Sequence, residues 1–94
     1  MTDLAAIIQD RTRTHGDFGR HACIAQSLKS FVRVQLVNPE KFSFRQAEAL
    51  DMILHKIARI IAGNPNHVDH WIDIAGYALL AAEQSTSSIP VADE

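Results

Sequence analysis

The chain has 94 residues, 47% of them hydrophobic, with nine Lys and Arg against eleven Asp and Glu and a formal net charge of −2 at pH 7. That length is one small domain with a single modest core, and a slightly acidic balance gives no direct sign of DNA or RNA binding. No apolar run reaches the length of a membrane span, no basic segment leads into an apolar one, and the lone Cys23 reads as a buried small hydrophobe in a reducing compartment, so a cytoplasmic protein with no membrane partner is expected.

Thr2 or Asp3 caps a first helix, in which Leu4, Ile7 and Ile8 form one apolar stripe and which ends near Thr14. His15-Gly16-Asp17-Phe18-Gly19 suits a turn, with Asp17 placed to cap a second helix. From Phe18 to about Leu36 the positions Ala22, Cys23, Ile24, Leu28, Phe31, Val32 and Leu36 keep a helical period, and Arg20, Lys29 and Arg33 fall on the polar side. The β-branched end FVRVQLV also suits a short strand, but no second strand candidate exists to pair with it, so helix is preferred. Asn38-Pro39-Glu40-Lys41 breaks the chain, because the residue before a proline is biased away from helical geometry.

Ser43-Phe44-Arg45-Gln46 matches a capping box and starts a third helix, which Gly63 closes near Ala62 in the manner of a left-handed cap. Gly63-Asn64-Pro65-Asn66-His67 is a tight connector, and the fourth helix comes after it with Asp69 in its first turn and Val68, Trp71, Ile72, Ala75, Leu79 and Ala82 as its apolar face. The sequence thus predicts an all-α fold of four helices, the last two forming a central antiparallel hairpin, with one domain over 1–84 and a flexible tail over 85–94. A domain this small, with no disulfide framework or zinc site, gains buried area by association, so a homo-oligomer, dimer or tetramer, is expected, with Trp71 in the core or the subunit interface.

On the third helix Glu48, Asp51, His55 and Arg59 recur at steps of three and four and share a face; on the fourth, Asp69, Asp73 and Tyr77 form a similar line. Carboxylates on facing helices are how all-helical proteins hold a hard divalent cation, so Glu48, Asp51 and Asp73 are the first choice for a Mg²⁺ or Mn²⁺ site, with Asp69 or His70 as fourth donor. The plainer alternative is that Glu48 and Asp69 stabilise helix N-termini and that Asp51 pairs with a surface lysine or arginine. The five histidines, at 15, 21, 55, 67 and 70, have no zinc-site spacing and read more readily as helix-surface or capping residues. Lys56 and Arg59 lie on or beside the acidic stripe, where they suit phosphate oxygens; Trp71 and Tyr77 suit base stacking, although Trp71 has core spacing. Ala75-Gly76 reads as a site of close helix approach. There is no nucleophile–base arrangement and no glycine-rich phosphate loop.

HGDF, together with the later ALDMILHKIARIIAGNPNHVDHWIDIAGYALL, resembles a small phage and prophage domain family of unassigned function, over roughly His15 to Glu83. More distantly, the helix pair is similar to MazG-like all-α nucleoside triphosphate pyrophosphohydrolases, which carry ExxE on one helix and ExxD on the next. Glu48-Ala-Leu-Asp51 matches the first motif with Asp for Glu, and His70-Trp-Ile-Asp73 the second with His for Glu. The resemblance implies Mg²⁺-dependent hydrolysis of a nucleoside triphosphate to monophosphate and pyrophosphate in a host cytoplasm. Glu48, Asp51 and Asp73 would hold the metal, Lys56 and Arg59 the phosphates, and His15 and Asp17 would close the site from the side. The departures from the motifs make a non-catalytic accessory protein that binds a nucleotide or a host protein the competing expectation.

Overall fold

In the computed structural model, residues 3–15 and 17–87 are described, the side chains of 10–15 and 84–87 excepted. Among them the fold is all-helical with no strand: α1 (Leu4–His15), α2 (Phe18–Gln35), a 3₁₀ turn (Pro39–Lys41), α3 (Phe44–Ala62) and α4 (Val68–Ser87). The helix starts lie where the capping chemistry puts them. Asp3 Oδ1 accepts from the Ala5 and Ala6 amides at 3.1 and 3.3 Å, and Asp17 Oδ2 accepts from the Arg20 amide at 2.9 Å. At Ser43 both arms of the capping box form, at 3.0 Å each. Each bond satisfies a backbone group that the first turn of a helix would otherwise leave open.

The third helix is the one the others share. α3 packs against α2 on one flank and α4 on the other, while α1 lies only lightly on α2 and α3. Small side chains make this possible: Ala49 and Ala58 on α3 and Ala25 on α2 are buried, Ala58 completely, and with Leu54 they are the buried apolar residues among those described. Alanine at a contact lets helix axes approach closely, but it buries little area. The result is a layer of helices with α3 in the middle.

Four expectations change here. Gly63 ends α3 with φ −129° and ψ −130°, not in the left-handed region, so it is not the cap its position suggested. α4 runs through Ser87, past the boundary expected at 84, and 88–94 lie outside the described residues. Cys23 is exposed. Trp71 is 53% exposed and is not a core residue; its indole Nε1 donates to the Pro65 carbonyl at 2.8 Å and ties the connector to α4.

The last change has one cause, the orientation of α4. That helix rests on α3 through His70, Asp73, Ile74, Tyr77 and Ala81, all buried or half-buried. Val68, Trp71, Ile72, Ala75 and Leu79 of its apolar stripe are exposed, while Ala82 lines a groove with Ala49 and Leu50 of α3. No helix among the described residues is long and apolar enough to cross a membrane.

Candidate functional site

The polar face of α3 divides between two neighbours. Toward α2, half-buried Asp51 lines a cavity of about 310 Å³ together with Lys29 and Arg33 of α2, and Phe42, Ser43 and Phe44 close one end of it. Lys29 and Arg33 are four residues apart and so share a face of α2. The same groove thus holds two cations, one carboxylate and two aromatic rings. A larger groove of about 650 Å³ lies between the connector before α3 and the far end of α4, with a chiefly apolar wall in which Lys41 is the one charged residue.

One turn further along α3, two imidazoles meet. His21 of α2 is 2% exposed, and its ring stands edge-on to His55 with centroids 4.5 Å apart. His21 Nε2 lies 3.4 Å from the His55 carbonyl, which makes Nε2 the protonated nitrogen and leaves Nδ1 as a buried acceptor with no partner among the described residues. Arg59 Nε donates to His55 Nε2 at 3.3 Å. Burial, then the positive charge of Arg59, with smaller contributions from His21, Lys29 and Lys56, pushes the His55 pKa down to about 4. His21 is lowered for the same reasons, burial first and then Arg59 and Lys29. Both rings are neutral at pH 7, and the seam around them carries positive potential from both helices.

Toward α4 the arrangement is different. Lys56 Nζ lies 3.0 Å from Asp73 Oδ2, so the carboxylate expected to hold a metal is joined to an ammonium. Asp51 and Lys56 are five residues apart, about 140° around the helix, which is why one faces α2 and the other α4. Glu48 is exposed. Asp69 is exposed in the first turn of α4, 3.8 Å from His67 Nε2. His70 is buried against the His67 ring, with centroids 4.7 Å apart. Among the described residues no group of three or more His, Cys, Asp or Glu is placed to hold a metal ion. Of the acids expected to converge, Asp51 lies on the α2 side of α3 and Asp73 meets Lys56 on its α4 side.

Of the other expected site residues, Asp17 is the N-cap of α2, and that role accounts for its position without a ligand. It also holds Gly19 small: a Cβ there would stand 3.2 Å from Asp17 Oδ2. The His15 side chain lies outside the described residues. Tyr77 is half-buried and borders an open pocket with Asp73, Gly76 and Leu80, away from Asp51. Sequence reasoning placed Lys29 and Arg33 on a polar face but gave them no role, and it passed over Phe42 and Phe44. The spacing of the two cations was visible; what they face was not.

Residues 2–85 match a family model described as "Domain of unknown function (DUF6378)". No curated protein and no solved structure matches the chain.

Proposed function

The chain belongs to the DUF6378 family, and from the chemistry of its own α2–α3 groove we propose that it is a non-catalytic accessory protein that binds a nucleotide. The observation that carries this is the 310 Å³ cavity in which Lys29 and Arg33 stand with Phe42 and Phe44. Pockets of about 300 Å³ and upward take small ligands, guanidinium and ammonium groups hold phosphate oxygens, and exposed rings stack on bases. Arg59 and Lys56 add positive charge around His55, which favours an anion further along the seam.

The MazG-like reading is the catalytic version of this proposal, and the all-helical fold with its α3–α4 hairpin is compatible with that kinship. It needs Glu48, Asp51 and Asp73 to converge on a metal, and the Lys56–Asp73 ion pair stands against it. Titration calorimetry with nucleoside mono-, di- and triphosphates, with and without Mg²⁺ or Mn²⁺, tests the proposal, together with a pyrophosphate-release assay. Binding that weakens in Lys29→Ala and Arg33→Ala, without pyrophosphate release, is the expected result. Metal-dependent release that Asp73→Asn abolishes would replace the proposal with the pyrophosphohydrolase. A groove that takes no nucleotide in any of these titrations would end both readings.

A further inference from the structure

The apolar groove on the α4 flank of α3 is the largest cavity that the nucleotide reading leaves unused. It measures about 650 Å³, its wall includes Val37, Leu50, Ile53 and Ala82, and Lys41 is its one charged residue. That volume lies inside the range of roughly 300–1,000 Å³ that small-ligand sites occupy. Its place matters as much as its size, because it abuts the cationic groove. On α3, Gln46, Ala49, Leu50 and Ile53 border the apolar groove, and Ala47, Leu50 and Asp51 the cationic one. At about 100° of turn per residue these are neighbouring sectors of one helix, and they meet at Leu50. Phe42 also lines both grooves, and its ring, 38% exposed, is open to a ligand that crosses from one to the other.

We propose that a single ligand fills both grooves, and that it is a nucleoside monophosphate esterified through its phosphate to an apolar chain. This rests on the nucleotide reading of the α2–α3 groove and names the kind of nucleotide that groove takes. The phosphate lies on Lys29 and Arg33, the base on Phe44, which is 96% exposed, and the chain runs across Phe42 into the apolar groove. Charge favours the ester. Lys29, Arg33 and Lys41 pair with no carboxylate among the described residues. In the cationic groove Lys29 and Arg33 stand against Asp51, an excess of one positive charge that the single negative charge of a phosphodiester balances. Burial favours it as well. A free nucleotide, polar throughout, would leave the apolar wall in water, whereas a chain laid there removes apolar surface from water on both partners.

Titration calorimetry that compares AMP, GMP, CMP and UMP with their octyl phosphodiesters, and with octyl phosphate alone, tests it. Each ester carries one negative charge fewer than its parent, so tighter binding is the work of the chain. For the nucleotide that binds, the ester should bind at least about tenfold more tightly, since an octyl chain buries several methylene groups. Val37 and Ala82 are both exposed. Ala82→Phe, which fills the apolar groove, and Val37→Asp, which charges its wall, should therefore keep the helical circular dichroism and the affinity for the parent nucleotide, while the ester loses its advantage. Lys29→Ala should weaken both ligands. An ester that binds wild-type protein no tighter than its parent would overturn this inference and leave the nucleotide proposal standing, as would an advantage that survives both groove variants. Octyl phosphate that binds as tightly as the esters, with no free nucleotide bound, would overturn both.

Discussion

The two sides of α3 and α4 follow opposite rules. Among the described residues the inner seams bury His21 and His70, pair Lys56 with Asp73, and hold the buried apolar set to three alanines and Leu54. The outer face of α4 exposes valine, isoleucine, leucine and half of a tryptophan. Burying polar groups and exposing apolar ones both cost free energy relative to the usual distribution. The two sides of the α3–α4 pair thus differ in what they bury and what they leave to solvent.

The largest expected effect separates those sides directly. Leu54→Ala empties a buried position and should lower the unfolding free energy by about 2–5 kcal/mol. Leu79→Ala, on the outer face, should cost under about 0.5 kcal/mol in dilute protein, with any larger cost growing with protein concentration. Urea unfolding of both variants at two concentrations checks this, and equal, concentration-independent losses would break the distinction.

Acid should act on the inner seam. His55 is neutral in the folded chain, with a pKa of about 4, and titrates near 6.5 when unfolded. Between those values the unfolded chain binds more protons, so stability is full above pH 6.5 and falls as the pH drops toward about 4. His21 adds to the same slope. Melting curves across that range should show the loss, and His55→Gln, which keeps a polar group beside Arg59 but does not titrate, should reduce it to the part that His21 carries.

Smaller effects sharpen the local picture. Ser43→Ala removes one arm of the capping box at the groove's edge and should cost about 1 kcal/mol. Trp71→Phe loses the bond to the Pro65 carbonyl and should cost about 0.5–1 kcal/mol; a larger, concentration-dependent loss would place the indole at the interface between copies. Asp73→Asn breaks an ion pair whose lysine side chain is 18% exposed and should cost about 1 kcal/mol.

Helix positions and starts were legible in the sequence because capping chemistry is local: Asp3, Asp17 and Ser43 each act within three residues of their own amide partners. Gly63 misled, since a glycine permits the left-handed cap without requiring it. The candidate site was legible only as a list of types. The period put Glu48, Asp51, His55 and Arg59 on one face of α3, but Asp51 lines the groove with Lys29 and Arg33 while Asp73 meets Lys56 across the other flank. A helical repeat states which side chains share a stripe and is silent on what the stripe faces. On α4 it correctly marked Val68, Ile72, Ala75 and Leu79 as one surface. That this surface points outward was decided by tertiary packing, because small residues at Ala49 and Ala58 draw α2 and α4 onto α3 and α4 turns His70, Asp73 and Tyr77 toward it.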